Sequence, residues 1–477
     1  KQALVSHFDT SLTAVGFVFS LAIVMLGLSA ALFGTWVDRN GPRAAMAVSA
    51  LFWVSGFLVA ALGISVGQIW LVYLGYGVLG GIGLGIGYIS PVSTLIKWFP
   101  DRPGLATGMA IMGFGGGAMV ASPASGRLMA LYDSGYDSSD PGSVASGGAV
   151  AALFVTLGLV YLAFMLFGAL IVRVPADDWA PEGYDPSEKK QQKMVTDASV
   201  SANTAIRTPQ FWLLWTVLFC NVTAGIGVLG VAKTMMTEIF GTTLPGLVDG
   251  GFAATYVLMI SVFNMVGRFF WASVSDRIGR KPTYVLFFVL GIALYLSIPF
   301  AAAGVSADPT IVWLVYFYAA TMIIFTMYGG GFATIPAYLS DLFGSRFVGG
   351  IHGRLLTAWS TAGVLGPLAI TSLREHKRLA AIRDLAARVD SDAFRAKFDA
   401  GKEQLDALVA TKTVDIGNLL ALLPDGTADP RATLYNSTMY LMAALLGIAL
   451  VANWFIKPVD KRHHLGADHD RPDHQTP

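Results

Sequence analysis

The sequence predicts an all-α protein that crosses a membrane many times and is built from two related halves. Three observations predict it. Hydrophobic residues make up 54% of the 477 residues and charged residues only 13%, too little charge for a soluble surface of this size. Apolar runs of about 20 residues recur along the chain, each long enough to cross the bilayer core as a helix. One loop is also written twice. Gly34-Thr-Trp-Val-Asp38-Arg39-Asn-Gly41-Pro-Arg43 returns as Ala272-Ser-Val-Ser-Asp276-Arg277-Ile-Gly279-Arg280-Lys281. Each copy lies between two long apolar segments, and such a repeated helix–basic loop–helix unit marks an internally duplicated membrane protein.

Eleven spans follow, at 13–37, 44–65, 68–97, 104–131, 149–173, 209–233, 251–275, 282–303, 311–337, 349–373 and 434–457. The first two flank the Asp38 loop. The third ends at Lys97, and the fourth begins after Pro100-Asp101-Arg102. Both are rich in glycine, from Gly75 through Gly81, Gly83, Gly85 and Gly87, then Gly104, Gly108, Gly113 and Gly115 to Gly117. Small residues let helix backbones approach and slide, and Pro123 marks a place where the fourth span bends. Gly81-Ile-Gly83-Leu-Gly85 lies inside a span and not after a strand, so it is not a dinucleotide loop. The fifth span closes an N-terminal half, 1–173. A polar stretch, 174–208, carries Pro175, Pro181, Pro186, Lys189, Lys190 and Lys193 and reads as a linker. The C-terminal half, 209–477, holds six spans. Two of them precede Asp276, whereas one precedes Asp38, so a first span is expected to be missing from an intact six-plus-six arrangement. A true eleven-span protein is the alternative.

The Lys/Arg bias of the short loops sets the orientation. One face carries Arg39, Arg43, Lys97, Arg102, the lysines of the linker, Arg277, Arg280, Lys281, Arg346, Lys457, Lys461 and Arg462. The other carries Asp133, Asp137, Asp140 and Asp308. The basic face, with the C-terminus, is expected in the cytoplasm, and the protein in the inner membrane of a prokaryote. Between the last two spans, 374–433 holds ten basic and ten acidic residues. Leu379, Ile382, Leu385, Ala386, Val389 and Phe394 fall there at roughly helical spacing, which predicts one or two amphipathic helices capping the outer vestibule.

Chemistry other than transport finds little support. The one cysteine, Cys220, excludes an intramolecular disulfide and a cysteine metal cluster. No histidine lies well inside a span, and His463, His464, His469 and His474 sit in a polar tail. No nucleophile–base arrangement or phosphate loop is present, so neither an enzyme, a metal, a cofactor nor a nucleic-acid partner is expected.

Arg268 carries the strongest signal. It lies eight residues before Asp276, hence about 12 Å inside the basic boundary. Ionisable residues at that depth are costly and usually face a pathway. No carboxylate is visible within the spans, so the simplest partner is an anionic substrate held by the guanidinium fork. A structural arginine bonded to carbonyls, or paired with an acid outside this sequence, is the other reading. Asn264, one turn earlier, shares its face and either bonds substrate or fixes the arginine. Tyr88, Tyr328, Thr357 and Trp359 fall at comparable depth in three other spans, whereas Tyr76 lies nearer the outer surface. In the repeated loops, Asp38 is expected to face the helix start near Gly349–Arg354, and Asp276 the one near Arg102–Gly104. With Arg39, Arg43, Arg277 and Arg280 they are expected to gate, holding the outward-facing state through the helix dipoles.

These loops resemble the signature loop of the major facilitator superfamily. Lys97-Trp98-Phe99-Pro100-Asp101-Arg102 with Gly104-Leu-Ala-Thr-Gly108 is similar to the oxalate/formate antiporter family. So are Phe263-Asn264-Met-Val-Gly267-Arg268 and His352-Gly353-Arg354-Leu-Leu-Thr357-Ala358-Trp359. The resemblance implies the major facilitator fold and carboxylate transport by alternating access, with Arg268 in the place of the family's carboxylate-binding arginine. Oxalate carriers of the family also use a lysine, where this sequence has Trp359. One buried positive charge suits one negative charge, which favours a monocarboxylate of the lactate, pyruvate or formate type. Anion exchange and proton symport both remain open, as does oxalate/formate exchange itself. A membrane sensor reusing the carrier fold is the alternative of a different class.

Overall fold

The computed structural model describes residues 2–137, 143–176, 179–183, 194–196, 198–424 and 426–465. Asp140, Pro186, Lys189, Lys190, Lys193, His469 and His474, named above, lie outside the described residues. All regular structure among the described residues is helical. The helices are α1 (Gln2–His7), α2 (Leu12–Ser65), α3 (Ile69–Trp98), α4 (Pro103–Tyr132), α5 (Gly147–Ile171), α6 (Ala202–Ala205), α7 (Pro209–Phe240) and α8 (Gly250–Ile278). They continue as α9 (Arg280–Ala307), α10 (Ile311–Phe343), α11 (Val348–Leu355), α12 (Thr357–Arg388), α13 (Ser391–Phe398), α14 (Leu405–Ala410), α15 (Ile416–Leu420) and α16 (Asn436–Phe455).

Ten helical stretches among the described residues are long and apolar enough to cross a membrane, and α2 accounts for two crossings. Its 54 residues measure about 80 Å at 1.5 Å per residue, more than twice a bilayer core. The chain reverses at Gly41, whose φ of 78° is the region open to glycine. Both limbs then lie beside the same point of α3. Ser29 Oγ donates to the Ile82 carbonyl (3.3 Å), and Ser49 Oγ to the Gly83 carbonyl (2.6 Å). The α3 glycines alternate to suit. Gly81 and Gly85 lie against Ala22 and Leu26 of the first limb, Gly83 and Gly87 against Ser49 of the second. In the other half Gly279, with φ 88°, turns the chain between α8 and α9, three residues after Asp276 as Gly41 is three after Asp38. The sequence repeat is therefore a repeat of backbone geometry.

Several boundaries differ from expectation. α7 runs on past 233 to Phe240 and so includes Glu238. The expected span 349–373 is two helices, α11 and α12, broken at Leu356, and α12 continues to Arg388. The segment 374–433 is thus the extension of a spanning helix followed by α13–α15, a wider helical unit than one or two amphipathic helices. Ile382, Leu385, Val389, Phe394, Val414 and Leu419 are buried within it. A polar cluster fastens it to the C-terminal half. Arg374 Nε donates to Glu238 Oε2 (3.0 Å), Tyr435 Oη donates to the same oxygen (2.6 Å), and Thr242 Oγ1 donates to Asp429 (3.3 Å). The end of the linker is held by that half too, since Thr196 N donates to the Asp341 carbonyl (2.9 Å) and Val200 N to that of Phe343 (2.9 Å).

The halves meet along two seams. In one, α2 packs on α11 and α12, with Gly34 against Gly349 and Ser360 Oγ donating to the Ile23 carbonyl (2.6 Å). In the other, α4 packs on α8 and α10, with Gly108 against the Arg268 backbone and Thr107 Oγ1 donating to the Ala333 carbonyl (2.8 Å).

Candidate functional site

Each seam begins at the basic face with one acid of the repeated loops. Asp38 Oδ2 accepts from the Gly350 amide (2.6 Å) at the start of α11. Asp276 accepts from the Gly104 amide (2.9 Å) and the Leu105 amide (2.8 Å) at the start of α4. Each carboxylate thus satisfies orphan donors at a helix start belonging to the opposite half, where the helix dipole favours negative charge. The two latches are not equivalent. Arg280, buried, donates to Asp276 (2.6 Å), to Asp341 (3.1 Å) and to Ser275, whereas Pro42 stands at the matching place after Asp38.

Arg43 donates to the Val172 and Leu170 carbonyls of its own half, so it does not join the two halves. Arg39 and Arg277 are exposed.

At the inner end of the second seam, α8 presents Asn264, Arg268 and Ala272 on one buried stripe at i, i+4 spacing. The stripe faces α4 because glycines line the other side; a side chain at Gly115 would press on Arg268 Nε. Arg268 is 4% exposed. Its Nε donates to Asn264 Oδ1 (2.9 Å) and its Nη1 to the Ile111 carbonyl (3.2 Å). Its guanidinium lies 5.8 Å from the Phe114 ring centre and 5.4 Å from that of Phe332. Among the described residues no carboxylate pairs with it.

An aromatic ring of side chains encloses this cation. Trp359 lies 4.9 Å from Phe332, 5.5 Å from Phe114 and 5.4 Å from Tyr88. Tyr328 adjoins Phe332 at 5.5 Å. Tyr88 Oη and Trp359 Nε1 are buried without a hydrogen-bond partner among the described residues. Buried donors are normally satisfied, so a pair left open beside a cation calls for an acceptor. Arg268, Asn264, Tyr88, Tyr328 and Trp359 therefore come together from four helices. Thr357 does not join them: its hydroxyl accepts from Trp215 Nε1 (2.9 Å) and donates to the Arg354 carbonyl (2.7 Å), tying α12 to α7 and α11. Tyr76 packs away from the ring, against Trp53, Phe57 and Phe154.

Sequence reasoning passed over Phe114 and Phe332, which look like ordinary apolar residues, and His352. The expectation that no histidine lies well inside is corrected here. His352 is 1% exposed, its ring 5.9 Å from Tyr88, and neither nitrogen has a partner among the described residues. It stands three residues from a span boundary in the sequence, but both halves close over α11 and make that boundary interior.

A duplicated bundle whose halves latch across two seams, with a buried cation between them, is the architecture of a membrane carrier. The chain belongs to the major facilitator superfamily, whose model matches residues 1–367. It is 31% identical over 361 residues to the oxalate:formate antiporter of Oxalobacter formigenes, covering 76% of each chain. It is 29% identical over 318 residues to apicoplast pyruvate carrier 1 of Toxoplasma gondii, covering 58% of this chain and 55% of that one. The E. coli fucose:proton symporter superposes with a TM-score of 0.58 at 14% identity, over 95% of this chain and 93% of that one, a likeness of fold alone. The fold and the relatives are those of transporters, and the protein is a multi-pass membrane protein.

Proposed function

We propose that this protein carries small carboxylate anions across the membrane by alternating access, with a preference for monocarboxylates. One observation carries the reading: Arg268 is buried without a carboxylate partner among the described residues, inside a ring whose Tyr88 and Trp359 donors are open. A carboxylate there gains charge-assisted hydrogen bonds and satisfies both donors. Asn264 holds the guanidinium, and Tyr328, Phe332 and Phe114 wall the site. A dianion in the same place would bury one uncompensated charge. Thr357 is left in a supporting role through Trp215. Asp38 and Asp276, the latter with Arg280, are the gates, closed on the basic face, which on this reading is the cytoplasmic face of a prokaryotic inner membrane. The N-terminal half then ends at 173, and the C-terminal half begins at 209.

A second reading, exchange of oxalate against formate, is favoured by the similarity to the antiporter of Oxalobacter formigenes and requires a second positive charge. Counterflow in proteoliposomes tests both. Vesicles loaded with unlabelled lactate, formate or oxalate are offered each labelled acid, with wild type beside Arg268→Lys. We expect monocarboxylate counterflow that Arg268→Lys lowers roughly 30-fold, the equivalent of about 2 kcal/mol for a lost charge-assisted hydrogen bond. Oxalate counterflow would replace the one-charge reading with the second. Normal lactate counterflow by Arg268→Lys would remove Arg268 from the site.

A further inference from the structure

We infer that His352 is the proton-binding group of the transport cycle and that the Asp38 latch controls its access to water; this rests on the carboxylate reading above. Helix α11 is pressed between the halves. Gly349 and Gly350 meet Asp38, and Gly353 meets the Ala30 carbonyl, all on α2. The His352 ring stands on the Tyr88 side, buried, with both nitrogens unpartnered among the described residues. A core histidine kept for structure bonds through at least one nitrogen; among the described residues this one bonds through neither.

The charged and titratable groups around it are few. On α2 there is Asp38, held by the amide of Gly350, with Lys97 at the end of α3 near enough to act on it. On α3 there is Tyr88. On α10, Tyr338 bonds Asn453 and Asp341 takes Arg280, both within the C-terminal half. On α7, Cys220 is buried. On its own helix, Arg354 reaches out to Asn203 of α6. Among the described residues no carboxylate pairs with the ring. While the latch is closed the ring is 1% exposed, with no carboxylate beside it among the described residues, so an imidazolium is disfavoured. Once Asp38 leaves the start of α11, water from the basic face meets the ring two residues further on. One ring nitrogen lone pair then takes a proton, giving an imidazolium.

Closing again with that proton aboard requires an anion, and the ring of aromatics leads to one. His352 adjoins Tyr88, Tyr88 adjoins Trp359, Trp359 adjoins Phe332, and Phe332 lies under Arg268. The empty site holds Arg268 alone, with one positive charge. The fully loaded site holds Arg268, the imidazolium and one carboxylate, and again sums to one positive charge. A proton alone would leave two buried cations without an anion, which is costly in a closed, dry site, whereas a carboxylate aboard offsets the added charge. The proton therefore crosses with a carboxylate.

The test compares wild type and His352→Gln in proteoliposomes with labelled lactate, using counterflow at equal pH, uptake driven by a pH difference, and an internal pH dye. We expect wild type to move one proton with each lactate, with a flux that rises as the pH on the basic face falls. His352→Gln should keep counterflow but lose pH-driven accumulation and that pH response. The inference is overturned if the variant accumulates lactate as wild type does. It is overturned equally if wild-type lactate flux carries no proton, or if counterflow vanishes with coupling, which would make His352 a substrate contact. Should His352→Gln not yield monodisperse protein, His352→Asn takes its place under the same outcomes. Absence of any wild-type counterflow of lactate, formate or oxalate is a separate result that sinks the carboxylate reading, and this inference with it.

Discussion

Arg43 and Lys281 stand five residues after the acid of their respective loops and do the same work. Arg43 donates to the carbonyls of Val172 (3.2 Å) and Leu170 (2.9 Å) at the end of α5. Lys281 donates to those of Trp454 (2.7 Å) and Ile456 (2.8 Å) at the end of α16. Each closes the C-terminus of the last spanning helix of its own half, where carbonyls lack partners and the dipole favours a cation. We expect Arg43→Ala or Lys281→Ala to cost about 1 kcal/mol of stability and to lower Tm in detergent while leaving the KM of counterflow unchanged. A change in KM with an unchanged Tm would place these cations in the transport path instead.

The two acids act across the halves, so neutralising them should act on conformation. Asp38→Asn and Asp276→Asn keep the shape of the latch and remove its charge. Each should weaken the closed state by about 1 kcal/mol, roughly five-fold in population. Spin labels at Arg39→Cys and Arg277→Cys, both exposed on the basic face, would report a larger long-distance population. Identical distance distributions in wild type and variants would exclude a gating role. Because Asp276 also serves Arg280, its variant should lose stability as well, and that of Asp38 less.

Asn264 holds the Arg268 guanidinium by one hydrogen bond of 2.9 Å. Removing it in Asn264→Ala frees the guanidinium to swing while its charge remains. A hydrogen bond to a charged group contributes about 1.5–3 kcal/mol, so apparent lactate affinity should fall on the order of ten-fold or more. The measurement is the concentration dependence of counterflow, and unchanged affinity would mean that the Ile111 carbonyl alone positions the arginine.

Trp359 tests the charge argument directly. Trp359→Lys puts a second cation beside Phe332 and Phe114. The expected outcome is a shift from lactate to oxalate in counterflow competition, since two buried cations match a dianion. Loss of both substrates would show that the tryptophan is needed for shape, and unchanged preference would show that residue 359 does not face the substrate.

Much of this was legible in the sequence because membranes impose simple rules. Apolar runs of bilayer length, the Asp-Arg-x-Gly repeat and the depth of Arg268 needed no partner to be read. Together they determined the class of protein, the two halves, the spans and the central cation. The glycine three residues after each acid is where the backbone reverses, at φ 78° and 88°, a conformation that favours glycine. What the sequence left undecided depends on contacts between distant segments. The assignment of Arg43 to its own half, the withdrawal of Thr357 to Trp215, and the break at Leu356 each follow from packing that no local pattern carries. His352 is the clearest case. In sequence it sits near a boundary with ordinary neighbours, and only the closing of α2 and α3 over α11 takes it out of water. Local pattern determines which segments cross the membrane; which side chains lose solvent and meet one another is decided by how the two halves are pressed together.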